Sequence, residues 1–162
     1  MMRHALCIIF IGLLFSSVVI AQTDSQESNK FFEEVFGAEF KRALGTSSPD
    51  DNFILAETLL GAVAQSAGNP AVQRMLYDKA GELTEKHVKG ADIALKALAL
   101  LIEISPDTAL ETNRRIVAVH HLRYSRTART QRAEPGQAYI DALRAHAKAY
   151  EKALRVFSTH ER

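Results

Sequence analysis

A basic segment in the last third of the chain carries the residues best suited to chemistry. From Arg114 to Arg132 the sequence RRIVAVHHLRYSRTARTQR holds six arginines, two adjacent histidines and no acidic residue. Histidine is a common metal ligand, and arginine binds carboxylate, phosphate and sulfate groups. The segment therefore raises two hypotheses, a metal site and a surface that binds an anionic partner.

The spacing of the histidines argues against a metal site. His120 and His121 are consecutive, so they lie about 100° apart around a helix and their rings diverge. Two ligands on one helix need an i, i+4 spacing, and no HxH or HxxxH pair occurs in the chain. We therefore predict no metal and no cofactor. A pocket between helices that is lined by His87, His120 and His146 stays open as an alternative.

The arginines favour an anion-binding surface. Arg123, Arg126, Arg129 and Arg132 recur at every third position, with hydroxyl and amide side chains between them. If a helix continues past Tyr124 they form one slowly drifting stripe, and if it does not they form a flexible cationic arm. We take these four arginines as the candidate contact with an anionic partner. The alternative is a solvated connection between two helices.

Other catalytic patterns are weak. Glycoside hydrolysis needs two carboxyl groups several ångströms apart. The adjacent pairs Glu33–Glu34 and Asp50–Asp51 occupy predicted helix starts or exposed helix faces, where acidic residues are common. The sequence has no G-x-S-x-G motif, glycine-rich phosphate loop or haem-attachment motif. We therefore predict no catalytic residue and a protein that is not an enzyme.

The first 21 residues have the order of a secretory signal peptide. Arg3 precedes the apolar run ALCIIFIGLLFSSVVI, and Val19 and Ala21 are the small residues before the expected cleavage. An uncleaved anchor helix is the alternative, but the run is short for a span of about 20 residues. We expect an exported, periplasmic or extracellular protein that begins at Gln22 and has no stable membrane anchor.

Cysteine content and charge limit the chemistry and the partners. The only cysteine, Cys7, lies within the predicted signal peptide, which excludes disulfides and cysteine nucleophiles from the exported chain. Residues 22–60 hold three basic and eight acidic residues, whereas residues 113–162 hold eleven basic and four acidic ones. This asymmetry favours a charged partner, or attraction between the two ends. Nucleic acid is a poor candidate because export separates the protein from it.

Apolar residues recur with the period of an α-helix along most of the chain. They predict one all-α domain over residues 31–157, preceded by a short polar segment (22–30) and followed by a C-terminal tail (158–162). We expect about six helices, with start signals at Pro49, Pro70 and Pro106 and a fifth helix from Thr108 to about Tyr124. Short turns make successive helices antiparallel neighbours.

Two of the predicted helices have a defined apolar face. The residues predicted to face the core in the first helix are Phe32, Val35, Phe36, Phe40 and Leu44. The last helix should begin near Gln137, and its predicted core residues are Tyr139, Leu143, Ala147, Tyr150, Leu154 and Phe157. The basic segment 125–132 connects the last two helices.

The spacing of two prolines resembles that of a tetratricopeptide repeat. Pro70 and Pro106 are 36 positions apart and enclose one predicted helix pair, close to the repeat length of about 34. Ala94, Leu98 and Leu101 match positions where the repeat has small, large and small-to-medium residues. The tryptophan and the glycine–tyrosine pattern of the first repeat helix are absent.

A longer segment carries a narrower resemblance. The sequence from Phe31 to about Ile104 contains FFEEVFGAEFKRALGTSSPDDNFILAETLLGAV, NPAVQRMLYDKAGELTEK and GADIALKALALL. It is similar to a group of secreted, tetratricopeptide-like helical proteins of planctomycete-type bacteria. The resemblance implies a helical-hairpin stack outside the cytoplasm, and it brings no catalytic residue. A closed helical bundle is the alternative architecture.

Two functions of different classes follow. The first is an interaction module that binds a protein or peptide partner in the cell envelope, with an acidic partner favoured by the four arginines. The second is a small ligand-binding protein or enzyme with a pocket between its helices.

Overall fold

A computed structural model describes residues 26–46 and 48–160, with side chains as far as Val156. The predicted signal peptide (1–21) lies outside the described residues. The described residues are helical almost throughout and contain no strand, which confirms the all-α class. The α-helices are α1 (26–35), α2 (Gly37–Gly45), α3 (Pro49–Ala62), α4 (Pro70–Thr84), α5 (Ala91–Ile104), α6 (Ala109–Arg126) and α7 (Ala133–His160).

The predicted first helix is interrupted at Phe36, so the described residues form seven helices instead of six. Phe32, Phe36 and Phe40 are buried as predicted, and the rings of Phe32 and Phe40 meet edge to face with centroids 5.3 Å apart. Val35 and Leu44 are about half exposed, so the prediction for these two was wrong. Val35 lies about 100° around the helix from Phe36, and the three phenylalanine rings already fill the contact with the core.

The three prolines begin helical segments as predicted. Pro49 is the first residue of α3 and Pro70 the first residue of α4, while Pro106 opens a short 3-10 turn before α6. Proline suits these positions because its missing N–H would have no partner inside the helix. Before α4 the side chain of Asn69 accepts a hydrogen bond from the backbone N–H of Val72 at 3.1 Å, which caps the helix.

The helices pack mainly on their neighbours along the chain. The contacts run from α2 to α3, then through α4, α5 and α6 to α7. One buried cluster joins the phenylalanines of the first two helices to α3, α4 and α5, and a second joins α5 to α6. Among the described helices the main partner of α7 is α6, and not α2 or α3. Successive helices therefore pack in the order in which they follow one another along the chain.

The connection from α4 to α5 depends on a close approach at Gly90. A Cβ atom at this buried glycine would lie 2.7 Å from a ring carbon of Phe53 and 3.0 Å from the backbone oxygen of Thr84. The absence of a side chain therefore lets α3, α4 and the start of α5 meet at one point.

The orientation of α7 differs from the prediction. The helix begins at Ala133, before the predicted start, and continues to His160, past the predicted domain boundary at 157. Leu143, Tyr150 and Leu154 are 42%, 53% and 52% exposed, so they do not face the core. The side that faces α6 carries the buried Ala142 and the half-buried Ala149 and Ala153. Small side chains allow two helices to approach closely, and the large residues are left beside the contact.

Candidate functional site

A groove of about 730 Å³ is lined mainly by residues of α4 and α6, together with Ser28 and Asn29 of α1. Helices α4 and α6 each line the groove with residues three and four positions apart, which share one helix face. The lining side chains of α4 include Ala71, Arg74, Met75 and Asp78, and those of α6 are Glu111, Thr112 and Arg115. One face of α4 and one face of α6 therefore supply most of the lining.

The groove combines an apolar floor with charged walls. Leu101 of α5 is 3% exposed and lies beneath it, together with the half-buried Met75. The walls carry Arg74, which is half exposed and lies 3.6 Å from Asp107, and the exposed Glu111. Both signs of charge thus face the groove.

Arg115 joins the two helices that form the walls. Its Nε donates to Glu85 at 2.7 Å and its Nη1 donates to Asp78 at 2.5 Å, and both acceptors belong to the α4 side of the stack. The arginine is only 19% exposed. Burial lowers the pKa of Arg115, but the hydrogen bonds and charges of Glu85 and Asp78 outweigh burial and raise the pKa above its usual value. The guanidinium is therefore held as a permanent cation that fixes the spacing of α4 and α6.

The sequence contains a signal for this groove in its charged residues, which the apolar periodicity does not reveal. Arg74 and Asp78 form an i, i+4 pair of opposite charge on α4, and Glu111 and Arg115 form another on α6. Two such polar faces on helices of adjacent hairpins are candidates for a shared surface. Only the tertiary structure, in which Arg115 of α6 donates to Asp78 of α4, shows that they meet.

The four arginines proposed as an anionic contact do not form a stripe. Helix α6 ends at Arg126, and Arg129 lies in a separate 3-10 turn. Arg123 donates to Asp92 of α5 at 2.7 Å. The guanidinium of Arg132 lies 5.2 Å from the centre of the Tyr124 ring. Arg126 and Arg129 are exposed, so these two are the ones directed to solvent for a partner.

The histidines are distributed among separate contacts. The His87 ring meets Phe53 edge to face at 5.8 Å, and the His121 ring lies 5.4 Å from that of Tyr139. His146 has a buried Nδ1 with no hydrogen-bond partner among the described residues. None of the histidines lines the groove between α4 and α6. Within residues 26–46 and 48–160, no group of three or more His, Cys, Asp or Glu side chains is placed to hold a metal ion.

We expect His120 to make the stability of the protein depend on pH. Burial, and then the nearby charge of Arg123, lower the pKa of His120 below its usual value of 6.5. The unfolded chain therefore binds a proton more readily than the folded one, and folding stability is lost as the pH falls from about 6.5 towards the lowered pKa. Urea denaturation at pH 7.5 and 5.5 should show a smaller pH effect in His120→Gln than in the wild type.

The neighbouring histidine supplies the control for this measurement. His121 is exposed and lies next to His120 on the same helix, so His121→Gln controls for the loss of an imidazole from this part of α6. An unchanged pH dependence in His120→Gln would contradict the role assigned to its burial.

No protein-family model matches the sequence, and neither a curated protein nor a solved structure matches it. No helix in the described part of the chain is both long and apolar enough to cross a membrane. The fold defines an all-α protein with a groove lined mainly by α4 and α6.

Proposed function

We propose that this protein is a tetratricopeptide-like interaction module that binds an extended peptide segment of a partner protein in the groove between α4 and α6. The observation that carries the proposal is the groove itself, with its apolar floor and walls of both charges. An open helical stack offers such a surface without any catalytic group, because binding uses shape and exposed side chains.

The positions of the residues that match the repeat pattern support a tetratricopeptide-like architecture. The segments that begin at Pro70 and Pro106 each open a helical hairpin, first α4 with α5 and then α6 with α7. Ala94, Leu98 and Leu101, which match the repeat pattern, are at most 3% exposed and pack at the interface of α5 with its neighbours. The similarity to secreted tetratricopeptide-like proteins of planctomycete-type bacteria remains part of this proposal.

The charges of the groove favour a peptide over a reacting substrate. Arg115 has a raised pKa and both of its carboxylate partners are in place, so it is suited to holding the walls and not to transferring protons. Arg74 and Glu111, by contrast, are exposed at the walls, where they can pair with the charges and the backbone of a bound chain. An apolar floor between such walls accepts alternate side chains of an extended segment.

An acidic partner gains a second contact at the junction of α6 and α7. Arg126 and Arg129 are exposed there, and Arg126 is about 16 Å along the axis of α6 from the position of Arg115. We therefore expect acidic residues in the partner beyond the segment that occupies the groove. The contribution of these arginines should appear mainly in the association rate and its salt dependence.

The proposed function is tested with a displayed library of random linear peptides selected on the purified protein. Selected peptides should bind the wild type and lose about tenfold or more in affinity when Ala71→Trp fills the α4 side of the groove. Fluorescence polarisation with each labelled peptide measures this change. Arg74→Glu should also weaken binding, because it reverses a charge of the wall without filling the groove.

Two matched variants control for general effects of these substitutions. Ala99→Trp places the same side chain on the exposed surface of α5, and Lys96→Glu reverses an exposed charge on the same helix. Neither residue lines the groove, so both variants should bind within about twofold of the wild type. Failure to select any peptide, or peptides that bind Ala71→Trp as well as Ala99→Trp, would refute the proposal.

We also propose that the module acts outside the cytoplasm, as the first 21 residues indicate. Expression of the whole chain in a bacterium should give a mature protein that begins at Gln22 and is recovered from the periplasm or medium. N-terminal sequencing distinguishes this outcome from an uncleaved chain held at the membrane.

A further inference from the structure

Helix α7 carries an apolar stripe that the groove does not use. Ile140, Leu143, Tyr150 and Leu154 are 44%, 42%, 53% and 52% exposed, and the exposed Ala147 lies between them. These five residues, which we call the α7 stripe, fall within about 80° around the helix. Scattered exposed apolar residues are ordinary, but a continuous row on one helix face marks an interaction surface.

The spacing of the α7 stripe is that of a coiled-coil seam. Its members alternate by three and four positions, so Ile140, Ala147 and Leu154 take the a positions of a heptad and Leu143 and Tyr150 take the d positions. The stripe extends for about 21 Å along the helix. This repeat fits another helix packed lengthwise, and it does not fit the alternation of an extended strand.

The charges beside the stripe fit a second copy of the same helix. Arg144 and Glu151 occupy successive e positions, on the side of the stripe that faces away from α6. When two copies pack antiparallel, e positions face e positions of the partner, so Arg144 of each copy lies opposite Glu151 of the other. In a parallel pair they would face the g positions Tyr139, His146 and Ala153, which hold no carboxylate and lie towards α6.

Arg144 can make this contact without giving up its present one. It donates to Asp141 of its own helix at 3.0 Å, and both side chains are well exposed. A guanidinium has five N–H groups, so one hydrogen bond leaves donors for a second carboxylate.

We propose that the protein forms a symmetric dimer in which the α7 stripes of two copies pack antiparallel. The arrangement pairs Ala147 with Tyr150 of the second copy and Leu143 with Leu154 of the second copy. Such an interface is self-complementary, as required of a two-fold dimer, which is the commonest form of soluble oligomer. The proposal goes beyond peptide binding in the groove and does not depend on it.

Sedimentation velocity of the purified protein tests the dimer. The wild type should sediment as a dimer at about 100 µM, whereas Leu143→Glu and Leu154→Glu should raise the dissociation constant at least about tenfold. Both residues are exposed in the single copy, so these variants should keep their helical circular dichroism. Ile54→Glu is the control, because Ile54 is 65% exposed on α3 and the dimer should persist in that variant.

Exchanging the charges of Arg144 and Glu151 tests whether the partner is a second copy of the protein. Arg144→Glu alone places like charges opposite each other and should weaken the dimer several-fold. The double variant Arg144→Glu with Glu151→Arg should restore the dimer, because opposite charges again face each other across the interface. A surface made for a different protein gives no reason for such a restoration.

Disulfide cross-linking in a Cys7→Ser background tests whether the two α7 helices pack antiparallel. Leu143→Cys and Leu154→Cys should each fail to cross-link when alone, and the two variants mixed should form a disulfide-linked pair. Cross-linking of either variant with itself would indicate a parallel arrangement and overturn the proposal. A monomer at about 100 µM, loss of the dimer in Ile54→Glu, or no restoration by the charge exchange would overturn it as well.

Discussion

Replacing Leu98 by alanine should lower the free energy of unfolding by about 3–4 kcal/mol. Leu98 has no exposed surface and lies in the buried cluster where α5 meets α6. Its Cδ2 lies 3.1 Å from the place that a Cβ at Gly81 of α4 would take, so three helices meet around this one side chain. The cavity left by alanine cannot collapse easily, because Arg115 holds α4 and α6 at a fixed spacing.

Urea denaturation followed by circular dichroism measures this loss. Ile54→Ala is the matched control, since Ile54 is 65% exposed and its truncation should change the free energy of unfolding by no more than about 0.5 kcal/mol. Comparable losses in the two variants would mean that α4, α5 and α6 do not share the core described here.

The substitution Arg115→Met should lower the free energy of unfolding by about 2 kcal/mol. Methionine keeps much of the side-chain length but leaves Asp78 and Glu85 without their shared cation. Removing one partner from a fully buried ion pair costs more, but Glu85 is 22% and Asp78 46% exposed, and water reduces the penalty accordingly. The loss should be accompanied by weaker peptide binding, because the walls of the groove are no longer held together.

Arg114 provides a control at the adjacent position. Arg114 is 71% exposed and pairs with Glu111 within its own helix, so Arg114→Met should cost no more than about 0.5 kcal/mol. Thermal and urea denaturation of the two variants separate the tether between helices from a general effect of removing charge. Equal stability of Arg115→Met and the wild type would show that the tether between α4 and α6 is not needed for folding.

The groove and the α7 stripe lie on different helices and can act together. The groove is lined mainly by α4 and the first half of α6, whereas the stripe runs along α7 beside its contact with α6. A dimer formed through α7 would therefore present two grooves at once. A partner with two peptide segments would then bind with higher avidity than a single segment allows.

Most of the correct predictions from the sequence depend on interactions within a short stretch of the chain. The helical period requires only that apolar residues recur along a short stretch, which is why the all-α class could be read directly. Pro49 and Pro70 act within one helix turn, as does the Asn69 cap, so these helix starts were also predictable. The interruption at Phe36 was missed because the apolar pattern continues through it.

The groove could be predicted only in part. The i, i+4 charge pairs of α4 and α6 are visible in the sequence, but Arg115 meets Asp78 across 37 positions. Likewise, Arg123 meets Asp92 across 31 positions, which removes one member from the predicted row of arginines. Pairing over such distances depends on how the hairpins stack, and no local pattern contains that information.

The sequence by itself determined that this chain is helical, where its prolines begin helices and that its last helix has an apolar face. Only the tertiary structure decided where that face points. A row of large apolar residues and a row of alanines can each pack against a neighbouring helix, and the periodicity does not distinguish them. In α7 the alanines face α6, because they allow the closer approach, and the large residues are left exposed as a surface for a partner.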